Sequence, residues 1–176
     1  MEIKRIIAGQ LQANCYLLID SGELGVVDPG AEGQKIIAEI KKIGARVKII
    51  IVTHNHFDHI GATYDLENEF KVKTIRDLKE GDILTIGKEK LKTIKTPGHA
   101  ADSICLLGDG FALTGDTLFD GNIGRTDLEG GSNQAMAESL KKLDQSIPNG
   151  AMVYPGHGDV FKYKKREALK YLQFLN

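Results

Sequence analysis

The chain has 176 residues, 41% of them hydrophobic, and its 23 basic and 24 acidic side chains leave a net charge of −1. That length suits one domain with a real core. The even charge balance excludes the basic footprint of a nucleic-acid binder, no apolar run reaches membrane-spanning length, and a small-molecule substrate is the expected partner.

The chain opens with two strand-like runs, "EIKRIIA" and "CYLLID". Charges interrupt this region too often for a signal peptide, so a cytoplasmic location is expected. Cys15 and Cys105 belong to no CxxC pair and read as buried apolar thiols in a reducing compartment. A turn at Ser21-Gly22 leads to "LGVVD", which Pro29-Gly30 closes. Ile36, Ile37, Ile40 and Ile43 then share one face of a 3.6-residue period, and Gly44 stands where a C-terminal glycine cap belongs. "VKIIIVT" is a continuous β-branched run, the pattern of a strand buried on both faces.

A helical stretch follows to about Phe70, then a hairpin turning at Gly87 within "ILTIGKEKLKTIKT". "SICLL" and "FALTG" are short strands. Met136, Leu140, Leu143 and Ile147 mark an amphipathic helix, "AMVYPGHG" a last strand and turn, and "KYKKREALKYLQFL" a closing helix. This order predicts an α/β domain of four layers, two mixed β-sheets packed together with helices on the outer faces, spanning 1–176. The pattern leaves the oligomeric state open.

The positions of the histidines carry the chemistry. His54, His56, Asp58 and His59 follow "IIIVT"; His99 follows "KTIKTPG"; Asp116 follows "FALTG"; His157 follows "MVYPG". Each strand-like run thus ends in a turn that delivers a donor, and all five histidines are used. A lone histidine after a strand is more often a surface or capping residue, and an aspartate in "GDT" can simply start a turn. Three adjacent rings and a carboxylate are different. Charged together they repel, and buried without partners each costs several kcal/mol. A divalent cation removes both penalties, because it takes neutral imidazole and ionised carboxylate. One catalytic zinc uses about three protein ligands, so seven candidates point to two ions sharing a carboxylate and a water. Such a pair acidifies the water and polarises the carbonyl it attacks.

"THNHFDH", "TPGH", "GDTLF" and "PGHG", in that order, resemble the metallo-β-lactamase superfamily, and "VVDPG" resembles its third-strand signature. The resemblance runs from Val26 to Gly158. It implies an αββα sandwich with a dinuclear centre at one edge. Carried over by position, His54, His56 and His99 hold one ion, Asp58, His59 and His157 the other, and Asp116 bridges them. Asp28 supports the ligands from behind, although a turn-forming Asp before Pro-Gly fits that residue equally well. Zinc is the expected metal, with iron or manganese as alternatives.

Within the superfamily, "GDTLFDGNIGRTDLEGGS" looks like the glyoxalase II group, the hydroxyacylglutathione hydrolases. HxHxDH in place of HxExDH sets the chain apart from the flavodiiron oxygen reductases. Two departures stand out. No separate helical carboxy-terminal domain for glutathione follows "PGHG", and "AADS" after His99 lacks the hydroxyl the family commonly places next to that ligand. Arg125 lies where longer enzymes contact a substrate carboxylate; a salt bridge to Asp127 is the structural alternative. The resemblance implies hydrolysis of an S-2-hydroxyacylglutathione-like thioester by a metal-bridging hydroxide, with Asp58 coordinating and orienting the nucleophile. Two alternatives remain: a mononuclear-iron persulfide dioxygenase using His54, His99 and Asp116, and a non-catalytic metal-binding protein.

Overall fold

A computed structural model describes residues 1–175. The backbone divides into two compact units, Met1–Asp77 with Leu84–Lys90, and Leu78–Ile83 with the chain from Leu91 onward.

The first unit is built on a five-stranded sheet of order β1-β2-β3-β4-β5. β1 (Glu2–Ala8), β2 (Ala13–Asp20) and β3 (Glu23–Val27) run antiparallel in succession, joined by short turns. β4 (Arg46–Ile51) lies parallel to β3, a pairing that needs a crossover. α1 (Gly33–Ile43) supplies it and ends at Gly44 as expected, with φ of 73° and its N–H on the Ile40 carbonyl. Ile36, Ile37 and Ile40 of α1 pack with Ile6, Leu17, Leu24, Val26 and Ile50 of the sheet. Each such side chain contributes roughly 1.5–3 kcal/mol of burial. β4 is less covered than its sequence suggests: Lys48 reaches out to Glu23 at 2.6 Å and keeps part of that face open.

The expected single helix to Phe70 is two, α2 (Phe57–Ile60) and α3 (Thr63–Phe70). The Ala62 N–H leaves the helical pattern to bond the Pro29 carbonyl at 2.9 Å. Beside that bond, a Cβ on Gly30 would sit 1.5 Å from the Asp58 carbonyl oxygen, so only glycine lets the two turns approach. β5 (Thr74–Ile75) adds a short parallel edge to β4.

The second sheet has six strands in the order β13-β12-β9-β8-β7-β6. β6 (Ile83–Ile86) and β7 (Glu89–Lys95) flank Gly87, and β8 (Ile104–Gly108) and β9 (Phe111–Gly115) continue antiparallel. A small hairpin, β10 (Leu118–Phe119) and β11 (Asn122–Ile123), was not evident in the sequence. α4 (Asn133–Ser146) begins at Ser132, whose side chain accepts from the Ala135 N–H. Its Met136, Leu140 and Leu143, with Ile147 at its end, pack with Cys105, Ala112, Val153, Tyr163 and Tyr171. β12 (Met152–Pro155) returns parallel to β9, and β13 (Phe161–Lys162) closes the edge.

The closing helix is shorter than its composition suggests, a 3-10 turn over Ala168–Phe174. Asp144 accounts for this. Its carboxylate accepts the Tyr163 hydroxyl and the Arg166 N–H, both at 2.6 Å, and Arg166 sits at φ 70°. A residue in that left-handed region cannot continue an α-helix. The two mixed sheets with their helices agree with the expected α/β class. Among the described residues no helix is long and apolar enough to cross a membrane.

Candidate metal centre

Parallel pairing sets up the donor turns of each unit. Val27 of β3 stands opposite Ile51 of β4, and the Asp28 N–H continues the ladder to the Ile51 carbonyl at 3.0 Å. The exits of both strands therefore lie side by side, and Asp28 meets the histidine cluster. Asp28 Oδ1 accepts the Thr53 N–H at 2.6 Å, and its Oδ2 accepts the Thr53 hydroxyl at 2.7 Å. With its proton given to Asp28, the Thr53 oxygen accepts from His54 Nδ1 at 3.1 Å. Asp28 Oδ2 also accepts from His59 Nδ1 at 3.0 Å.

These contacts choose the tautomers. Both His54 and His59 carry their proton on Nδ1, so Nε2 is the acceptor nitrogen of each ring. His54 Nε2 lies 3.1 Å from His56 Nδ1, with the rings nearly perpendicular at 78°. His59 Nε2 lies 3.8 Å from Asp58 Oδ2, too far for a hydrogen bond. His54 and His59 are buried, whereas His56 and Asp58 are partly open to solvent.

In the second unit, Pro155 of β12 pairs with Gly115 of β9, and the Gly156 N–H reaches the Gly115 carbonyl at 2.8 Å. The residues that follow are Asp116 and His157. His157 Nε2 is 3.6 Å from Asp116 Oδ2, and His99 Nε2 is 3.4 Å from the same oxygen. The Arg125 carbonyl, 2.8 Å from His99 Nδ1, can only accept. His99 therefore also has its proton on Nδ1 and its lone pair on Nε2. Gly124 allows this close approach: a Cβ there would sit 1.8 Å from the Asp116 carbonyl oxygen and 3.0 Å from the His99 Cβ. Behind the two turns, the hydroxyls of Thr96 and Thr117 meet at 2.9 Å, and Thr96 lies 3.3 Å from Cys105 Sγ. Ser103, the last residue of "AADS", closes the turn after His99 by accepting the Ala100 N–H at 3.3 Å.

Arg125 makes the salt bridge to Asp127, through two contacts of 2.7 Å, and both side chains are largely exposed. The guanidinium holds the Asp127 carboxyl down at about 2. Burial pushes the Cys105 thiol up to about 11 and raises Cys15 further, so both sulfurs stay protonated and out of any donor set. What remains is imidazole nitrogen and carboxylate oxygen, the set a first-row divalent ion takes. The sequence had not singled out Thr53, Thr96 or Thr117. Each is the threonine beside a donor motif, in "VTHNH", "KTPGH" and "GDTLF", and that adjacency is the signal that could have found them.

A family model described as the metallo-beta-lactamase superfamily matches residues 8–85 and 74–157. A probable metallo-hydrolase of Bacillus subtilis is 33% identical over 90% of this chain and 90% of its own length. A hydroxyacylglutathione hydrolase of Idiomarina loihiensis is 33% identical over 78% of this chain, which spans 57% of that relative. Among solved structures, the B3 metallo-beta-lactamase BLEG-1 superposes with a TM-score of 0.87 at 26% identity, covering 99% of this chain and all of its own. ETHE1 from Myxococcus xanthus has a TM-score of 0.86 over 100% of this chain and 92% of its own, but at 23% identity it speaks for the fold alone. TTHA1623, solved in a di-iron-bound form, has a TM-score of 0.83 at 28% identity over 90% of this chain and 94% of its own.

Proposed function

This chain belongs to the metallo-beta-lactamase superfamily as a metal-dependent hydrolase, and we propose that the bond it breaks is a thioester in an S-2-hydroxyacylglutathione-like substrate. The observation that carries the reading is the set of histidines whose Nδ1 protons are committed behind them, His54 to Thr53, His59 to Asp28 and His99 to the Arg125 carbonyl. Each Nε2 is then the unprotonated nitrogen, turned toward another candidate ligand, and binding a cation needs no change of tautomer. The likeness to a hydroxyacylglutathione hydrolase supplies the substrate class.

In this proposal residues 1–176 form a single catalytic domain, as the family resemblance implies. His54, His56 and His99 would hold one ion, Asp58, His59 and His157 a second, and Asp116 both. The di-iron form of TTHA1623 supports a pair of ions. When bound, such ions acidify water and polarise the carbonyl it attacks. Asp58 orients that water by accepting its hydrogen bond at a carboxylate oxygen. Thiolate is a good leaving group and needs little proton help, which suits a site where every histidine is already a donor. Arg125 receives a substrate carboxylate; exposed ion pairs such as its contact with Asp127 are weak and exchange partners readily.

Metal analysis and an anaerobic substrate panel test this together. Two ions per chain and cleavage of S-lactoylglutathione without oxygen are expected. One iron per chain with oxygen uptake on glutathione persulfide would overturn the proposal.

A further inference from the structure

A cavity of about 390 Å³ opens beside Asp58 within the first unit. Leu11, at the tip of the β1–β2 hairpin, and Phe57, the first residue of α2, both line it. Gly30 and Ala31 form another wall, and Gln10 and Asp58 are the polar side chains of the lining. The hairpin lies close to that wall, since a Cβ on Gly9 would come within 2.9 Å of the Ala31 Cβ.

Two features of this cavity point to an apolar ligand. Leu11 is 53% exposed and Phe57 73%, a large amount of hydrocarbon facing water next to a candidate metal ligand. Adjacent exposed apolar groups of this size mark binding surfaces more often than idle ones. Among the described residues that line the cavity, none is positively charged, so it offers nothing to pair with a carboxylate or phosphate. Its volume is ordinary for a small-molecule site and equals that of roughly a dozen waters. The methyl of a lactoyl group would leave most of it wet.

We infer that this cavity receives the tail of the substrate's acyl group, and that the preferred 2-hydroxyacyl thioester carries an alkyl or aryl tail larger than the methyl of lactoyl. The inference rests on the thioester reading above and adds the acyl class to it. Covering Leu11 and Phe57 with hydrocarbon removes apolar surface from water on both sides of the contact. The gain is about fourfold in kcat/KM for each methylene buried. Asp58 on the same wall then places the thioester carbonyl at the donor set while the tail points away from it.

The test is a chain-length series of S-2-hydroxyacylglutathiones, from lactoyl to 2-hydroxyhexanoyl, with the metal-loaded protein. The six-carbon substrate is expected to exceed lactoyl by roughly sixtyfold in kcat/KM, the product of three buried methylenes. Leu11→Ser and Phe57→Ser should each shrink that ratio. A second measurement does not depend on turnover: the Leu11 methyl resonances should shift on titration with 2-hydroxyhexanoate and stay in place with the same concentration of lactate. Equal rates for the two thioesters would overturn the inference and leave thioester hydrolysis standing. Unmoved Leu11 methyls would overturn it as well. Shifted methyls in a protein that cleaves no thioester would support the cavity's assignment and remove only the hydrolase reading.

Discussion

Asp28 and His59 are joined by a 3.0 Å hydrogen bond from Nδ1 to Oδ2, and neither side chain is more than 2% exposed. The same carboxylate takes both donors of Thr53, whose oxygen in turn meets His54. One residue with φ of 54° therefore orients two rings on another strand's exit. The strained backbone and the histidine tautomers belong to a single device.

Asp28→Asn separates the charge of that device from its shape. Asparagine tolerates the left-handed region, so the turn should persist while the carboxylate is lost. Metal affinity is expected to fall 10- to 100-fold, measured by competition with a chromophoric chelator. An affinity equal to that of the parent would show that Asp28 is only a turn former.

Asp58 tests the role in catalysis. Its side chain is 15% exposed and lies outside both hydrophobic cores. Asp58→Ala should therefore leave the denaturation midpoint nearly in place while turnover drops by at least about 100-fold. A variant that hydrolyses thioester at the parent rate would sink the dinuclear mechanism.

Acid stability should depend on Glu23. Lys48, the Gly87 N–H and Arg46 bond its carboxylate and hold it near 2, below the ordinary 4.5. A depressed carboxyl stabilises the folded state above its unfolded value, and the stabilisation disappears as pH falls through the folded one. The loss is expected between pH 4.5 and 2. Glu23→Gln should lower stability at neutral pH and flatten that limb in denaturant titrations. A limb of parent slope would exclude Glu23 as its source.

The two thiols should be silent in the native protein. Cys15 and Cys105 are fully buried and their pKa values are raised by desolvation. Ellman's reagent is expected to find both cysteines in denaturant and neither in buffer. Fast labelling of Cys105 in buffer would mean that the wall of Thr96 and Thr117 behind His99 opens readily.

Much of the architecture was legible in advance. The isoleucine face of α1, its Gly44 cap, the Gly87 hairpin and the Met136-to-Ile147 stripe all appear where their periods and turn residues put them. Helix-period and strand-period patterns are local, so a single sequence displays them. The closing helix misled because Asp144 captures the Arg166 N–H from 22 residues away. The break between α2 and α3 was hidden for the same kind of reason, a Pro29 carbonyl supplied from another turn.

The candidate donors were legible in the sequence alone. Their residue types and their places at strand exits are local facts, which no packing detail alters. Which ring nitrogen of His54, His59 and His99 carries the proton was decided only by the tertiary structure. His99 owes its tautomer to a carbonyl 26 positions later, and His59 to a carboxylate 31 positions earlier. Strand register brings those partners into reach, and register is a property of the paired sheet rather than of any one strand.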